Sequence, residues 1–382
     1  MTHPYFIFDE EHEAYRESVR AFVSKELLPH AEEWERAEDF PDEVFRRMGA
    51  LELFGNKFDQ KDGGTGAGYL FEAVLVEEMS RCGSGGVAAG LGAHAQIALP
   101  PIASFGNEEQ KQRWLVPGIR GDMIAALGIT EPEAGSDVSG IKTGAVRDGD
   151  DYILNGSKMY ITNGCRADIL VTAVRTGEDP HGGVSFIVVE KGTPGFDQSI
   201  RLKKLGWRAS DTAQIFFSDC RVPAANMLGG EGAGFPMIMS NFQWERLTMA
   251  LGAVTGAEQT MKLAKDYAET RVAFNRPIVR FQAIKHKIVE MATEIEMARH
   301  LTYHALWLFN QGRDAVKEVS MAKIAATEAA THVADEAVQI HGGYGYMMEF
   351  PVQRAWRDAR LGPIGGGTTQ IMREIIAKAM DL

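Results

Sequence analysis

Glu245 lies in Phe242-Gln-Trp-Glu-Arg-Leu247, where apolar residues recur at helical spacing. Its neighbours three and four residues away on a helix are Asn241, Phe242, Thr248 and Met249, none of them a cation. A carboxylate in a largely apolar stripe has its pKa pushed upward, as suits a base working near neutral pH. The same pattern also fits a surface glutamate, or one paired to Arg246 of another turn or helix. Upstream, Leu127-Gly-Ile-Thr-Glu-Pro-Glu-Ala-Gly-Ser-Asp137 is a turn rich in Gly, Pro, Ser and Thr. Its hydroxyls and backbone N–H groups can hold an anionic group without positive charge, or simply cap a surface turn. Tyr160 and Thr162, two apart in the strand-like Lys158-Met-Tyr-Ile-Thr-Asn-Gly164, point to one face. There an aromatic ring can pack on a flat ligand beside a reaching hydroxyl. A half-buried strand gives the same pattern without a ligand.

Three stretches of different character must position these residues. Residues 1 to about 120 are expected to be all-helical. Tyr15, Val19, Phe22, Val23 and Leu27 mark a helix from Asp9 to about Ala37. Helical patterns follow at Pro41 to Leu53, Tyr69 to Arg81, Val87 to Phe105 and Glu108 to Ile119. After Gly121, β-branched runs between turns predict strands at Tyr152 to Leu154, Ile169 to Val174, Val184 to Val189 and Ala213 to Phe217. The glycines of Leu228 to Gly234 form a hinge. Helices are then expected at about 236–271, 281–311 and 315–341, with a shorter one after Thr368, and Ile284, Ile288, Met291, Ile295 and Ala298 trace one stripe. The fold class is mainly α with a central β domain, barrel-like or a sandwich, and a C-terminal four-helix bundle. The expected domains are 1–122, 123–232 and 233–382.

A chain of 382 residues exceeds one core of roughly 150 residues. Its 45% apolar and 24% charged residues fit a chain that folds throughout. The net charge of −12 argues against a nucleic-acid surface, so any anionic ligand is held locally. Cys82, Cys165 and Cys220 are far apart, indicating neither a disulfide framework nor a zinc site, and no metal is expected. Met1 to Tyr5 lack a basic segment before an apolar run, and no stretch of about eighteen apolar residues occurs. These features predict a cytoplasmic protein with no membrane span.

No G-x-x-x-x-G-K-[ST], H-E-x-x-H, strand-opening G-x-G-x-x-G or G-x-S-x-G is present. The two segments already quoted, joined by Gln339-Ile-His-Gly-Gly-Tyr-Gly-Tyr346, Glu349-Phe-Pro, Arg354, Arg357-Asp-Ala-Arg360 and Gly367-Thr-Thr-Gln370, resemble the acyl-CoA dehydrogenase family in order and spacing. The resemblance covers nearly the whole chain. It implies FAD as cofactor, contacted by Leu127, Ile129, Thr130, Gly135, Ser136, Tyr160 and Thr162, with Trp commoner at the Tyr160 position. Arg271, Phe274 and Gln282 match positions that contact the FAD of a neighbouring subunit, and Gln339, Gly343, Thr368 and Gln370 resemble the rest of that site. A helix-terminal cation is the plainer account of Arg271. A shared cofactor implies an oligomer, the family's homotetramer, and the expected electron acceptor is an electron-transfer flavoprotein.

Dehydrogenation of an acyl thioester needs a carboxylate for the α proton while a flavin accepts the β hydrogen as hydride. Many family members carry that glutamate just before the final Gly-Thr, but here Ile364-Gly-Gly-Gly-Thr368 puts Gly366 there. Long-chain and isovaleryl members carry it on an earlier helix, which here supplies Glu245. Gly366 would then offer its backbone N–H to the thioester oxygen. By resemblance Ser136 and Arg246 touch the substrate, although Arg246 also suits a buried structural role. Glu131, Glu349 and Asp358 are expected to be structural, with arginines lowering the pKa of Asp358. Residues Val87 to Leu99 are expected to line the acyl pocket, with Gly85, Gly86, Gly90 and Gly92 leaving room for a long or branched chain. An oxygen-using oxidase of the same fold and a noncatalytic flavin- or CoA-binding protein are the alternatives.

Overall fold

The computed structural model describes residues 7–382, so the expectation drawn from Met1 to Tyr5 lies outside the described residues. Asp9 caps the first helix, Glu10–Phe22, by accepting from the Glu11 and His12 N–H groups, and His12 reciprocates. The expected single helix to Ala37 is interrupted. It widens at Val23–Leu27, tightens at Leu28–His30 around Pro29, and resumes as Ala31–Ala37. Proline lacks the N–H that the helical ladder needs. Helices Glu43–Ala50, Tyr69–Met79 and Gly85–Gly92 follow, the last running through residues 93–98 into Leu99–Phe105. Helical turns from Glu108 to Ile119 close this part.

The β domain comprises β1 (Ala125–Gly128), β2 (Gly144–Asp148), β3 (Asp151–Thr162), β4 (Ile169–Arg175), β5 (Val184–Glu190), β6 (Phe196–Arg201), β7 (Thr212–Pro223) and β8 (Met227–Leu228). They form one sheet in the order β6-β7-β3-β2-β4-β5-β8, with β1 parallel to β4. Both β4 and β5 are buried on both faces, as their continuous apolar runs require. Ile169, Val171 and Ala173 face one core shared with Leu99, Ile102 and Ile238, while Leu170 and Val174 face a second core with Leu154, Ile215 and Phe217. The four predicted strands are present. β1, β2, β6 and β8 went unpredicted because they are short or mostly polar.

The C-terminal part is built from helices Gly234–Thr270, Gln282–Asn310, Val316–His341, Pro351–Ala359 and Thr369–Ala379. Met291, Ile295 and Ala298 of the predicted stripe are buried in its core, and Ile284 and Ile288 pack against it. Pro351–Ala359 was not predicted.

Buried polar groups stitch the three parts together. The His94 Nδ1 accepts from the Ala125 N–H at 3.0 Å, so its Nε2 donates to the Gly118 carbonyl, also at 3.0 Å. Burial holds this imidazole neutral, with its pKa pushed down to about 4. Asp358 corrects an expectation: burial and the nearby Glu35 push its pKa up to about 6. Its oxygens accept from the Gly85 N–H at 3.1 Å and the Trp207 N–H at 2.7 Å, and among the described residues no arginine pairs with it directly. The glycines of this region are corrected too. A Cβ on Gly85, Gly86 or Gly90 would lie within 2.7–2.8 Å of Trp207, Ala209 or Phe40, so these three mark close packing; Gly92 alone has open space around it.

Candidate active site

Glu245 sits on helix Gly234–Thr270 between the buried Trp244 and Arg246, one turn beyond Phe242. Phe242 and Leu127 pack against the same hydrophobic core, to which Ile129 belongs, so this helix and the 127–136 segment border one core. The Glu245 carboxylate is ringed by protein yet partly open to solvent, the geometry of a recess. Among the described residues it takes no hydrogen bond or direct ion pair. Burial pushes its pKa up to about 7, against the opposing pull of Arg246 and Lys323.

Gly366 faces this carboxylate: a Cβ on Gly366 would lie 3.6 Å from Glu245 Oε1 and 2.6 Å from Met249 Sδ. The same volume is therefore reached from either position. Both Gly366 (φ +61°) and Gly367 (φ +96°) occupy the left-handed region that favours glycine. The Gly366 carbonyl accepts from Arg246 Nε at 3.1 Å, and the Gly367 carbonyl from Lys323 Nζ at 2.6 Å. The Gly366 N–H has no partner within the chain among the described residues. Arg246 is 8% exposed and lies over the Phe242 ring.

Lys323 was missed in the sequence. Its signal was a cation within the apolar series Val319, Ala322, Ala326 and Ala330 of helix Val316–His341, all of them buried. Lys158 was also missed as a buried cation. Its ammonium bonds the Ile129 carbonyl at 3.2 Å and Glu131 at 2.7 Å, while Glu131 accepts the Lys142 and Thr143 N–H groups. This pins the 127–136 turn onto β3, where the Met159 N–H also bonds the Thr130 carbonyl at 2.8 Å.

In that turn Gly135 and Ser136 are exposed, Ile129 is buried, and Leu127 and Thr130 are partly buried. Regular alternation fails at Tyr160, because β3 bulges between Lys158 and Ile161. Tyr160 adopts φ +62° with its side chain 69% exposed, and Thr162 is half-buried, so spacing alone does not place them on one face. Strained backbone of this kind gathers at binding sites.

The remaining candidates form two groups. Arg271 directly follows helix Gly234–Thr270, and with Gly343 and Tyr344 it borders a cavity of about 520 Å³. Phe274 tops a two-residue hairpin, at φ +51° and 89% exposed, near the exposed Gln282 at the start of Gln282–Asn310. Gln339 is exposed at the end of helix Val316–His341. Thr368 and Gln370 border a second cavity of about 670 Å³ with Trp356 and Ile364. Among the described residues no group of three His, Cys, Asp or Glu side chains is placed to hold a metal ion. None of the described helices is long and apolar enough to cross a membrane.

The N-terminal, middle and C-terminal domains of acyl-CoA dehydrogenases match residues 9–122, 126–220 and 232–381. An acyl-CoA dehydrogenase of Bacillus subtilis (strain 168) is 43% identical over 364 residues, 95% of this chain and 96% of the relative. The long-chain specific mitochondrial acyl-CoA dehydrogenase of Sus scrofa is 39% identical over 375 residues, 97% of this chain and 87% of the relative. The crystal structure of acyl-CoA dehydrogenase from Geobacillus kaustophilus superposes with a TM-score of 0.96 at 43% identity, over 100% of both chains. Fold and relatives together define an oxidoreductase, and the chain belongs to the acyl-CoA dehydrogenase family. Its activity is acyl-CoA dehydrogenation.

Proposed function

We propose that the chain takes a hydrogen from each of the α and β carbons of an acyl-CoA, giving the trans-2-enoyl-CoA, with Glu245 as base and FAD as cofactor. The observation that carries the assignment is the Glu245 carboxylate facing Gly366, with no direct counterion among the described residues and a pKa of about 7. Such a group is substantially ionised at neutral pH yet basic enough to take a weakly acidic α proton. The free Gly366 N–H stabilises the enolate-like oxygen, and the Arg246 and Lys323 bonds to the two loop carbonyls fix its direction.

The residues present fit a flavin. Tyr160 presents an exposed ring from strained backbone, beside a turn whose Gly135 has open space around it. Leu127, Ile129, Thr130, Gly135, Ser136, Tyr160 and Thr162 would hold it, joined by Arg271, Phe274, Gln282, Gln339, Gly343, Thr368 and Gln370, several of them from a neighbouring subunit. When bound, FAD supplies the acceptor for the β-carbon hydride. Ser136 and Arg246 contact the substrate, Arg246 through the guanidinium nitrogens not spent on Gly366. The open space at Gly92 supports an acyl pocket along residues 87–99. Electrons pass on to an electron-transfer flavoprotein, and the exposed Phe274 supports a homotetramer.

Mixing the flavin-loaded protein anaerobically with straight, branched and aromatic acyl-CoAs tests this assignment. At least one is expected to bleach the yellow flavin band within a single turnover. No bleaching with any of them would contradict the assignment.

A further inference from the structure

Lys323 is fully buried on helix Val316–His341. An ammonium carries three donors, and one acceptor is found for it among the described residues, the Gly367 carbonyl at 2.6 Å. Burying a cation so sparsely bonded is costly, and an apolar side chain would fill the same volume without that cost. What the lysine adds is a grip on the loop. Arg246 and Lys323, from two different helices, take the consecutive carbonyls of Gly366 and Gly367, while the other side of that loop faces Glu245.

We propose that Lys323 is a positioning residue for the dehydrogenation. It holds the Gly367 carbonyl so that the Gly366 N–H meets the thioester oxygen, and its charge keeps Glu245 available as a base. This rests on the assignment of Glu245 and Gly366 made above. Two charged groups act on Glu245 among the described residues, Arg246 on its own helix and Lys323 on the facing one. Arginine stays charged throughout the working range. Lys323 does not, since burial and then Arg246 push its pKa down to about 8, partly opposed by Glu245. The proton-abstracting arrangement, Glu245 ionised with Lys323 charged, is therefore populated best in a band between about 7 and 8. Loss of the lysine proton at higher pH loosens the loop.

The test compares the wild type with Lys323→Met, Lys323→Gln and Lys323→Arg, each flavin-loaded, by single-turnover bleaching with one active acyl-CoA across the pH range. Lys323→Met is expected to slow bleaching at least about tenfold and raise the acid-side midpoint by about one pH unit, with the alkaline fall gone. Lys323→Gln keeps a donor and recovers part of the rate but not the midpoint, whereas Lys323→Arg keeps the charge and recovers the midpoint. A purely structural lysine would alter yield or melting and leave the midpoint unmoved. A midpoint unchanged in both Lys323→Met and Lys323→Gln overturns the proposal.

A second arm needs neither flavin nor substrate. The pH at which the stability advantage of Glu245→Gln over Glu245 stops growing, which marks the folded pKa of the carboxyl, is measured by urea unfolding, with residue 323 as Lys and then with the Gln substitution. An upward move of about one unit supports the coupling, and no move contradicts it. If the wild type bleaches with no acyl-CoA, the assigned chemistry fails, and this arm still decides whether Lys323 governs Glu245.

Discussion

Ionising a carboxyl surrounded by protein costs free energy, and Glu245 carries that cost where an isosteric amide would not. Its folded pKa of about 7 lies above the ordinary 4.5, so its favourable contribution to stability is complete below 4.5 and is lost as pH rises through 7. The gap corresponds to roughly 3 kcal/mol. Glu245→Gln is therefore expected to raise the urea midpoint of the ligand-free protein at about pH 8 and to show little gain at about pH 5. Equal midpoints at both pH values would mean that the carboxylate is better solvated than its surroundings imply. Glu245 was singled out in the sequence through the family resemblance, once Gly366 stood at the commoner base position; the absence of a cation one turn away is a local property that by itself left a surface or paired glutamate open. Lys323 and Asp358 were not legible, because the Gly367 carbonyl and the Gly85 and Trp207 N–H groups that define them come from distant segments.

At the scale of elements, glycine plays two opposite parts. On helix Gly85–Gly92, Gly90 admits the edge of Phe40, while Gly92 borders open space. Gly90→Ala is expected to cost about 1–3 kcal/mol, and Gly92→Ala to leave stability equal or up to about 1 kcal/mol higher. Thermal unfolding of the two variants decides it, and a larger loss for Gly92→Ala would contradict the packing described. In the loop, Gly366 is tight against Met249. Moving the carboxylate with Glu245→Gly and Gly366→Glu should restore measurable bleaching, and more of it when Met249→Ala makes room for the new side chain. If every folded, flavin-loaded version stayed inactive, the two positions would not share one site. Long helices were readable from period alone. Pro351–Ala359 was missed because it is short and carries few large apolar residues, and the bulge at Tyr160 because a bulge breaks the two-residue period from which a strand face is inferred.

For the molecule as a whole, four hydrophobic cores lie within three parts joined by polar seams, with His94 joining the helical part to β1 and Asp358 joining all three parts. The order helix, sheet, bundle was plain in the sequence because the hydrophobic period changes twice. The pairing of β1 and β2 along the same edge of β4 was not, since register depends on contacts between distant strands. Phe274 belongs to this scale. A phenylalanine on left-handed backbone at the tip of a hairpin gains little in an isolated chain, where Asn or Gly is preferred. Phe274→Ser should leave the thermal unfolding of the apoprotein nearly unchanged, shift sedimentation toward smaller species and weaken flavin retention. Unchanged sedimentation and flavin content would remove this residue from the subunit interface.

The most direct measurement is anaerobic single-turnover bleaching of flavin-loaded Glu245→Gln by an acyl-CoA that reduces the wild type, paired with binding of the same thioester. The substitution is expected to preserve binding within a few-fold and to slow bleaching by several orders of magnitude. Bleaching at close to the wild-type rate would place the proton acceptor elsewhere.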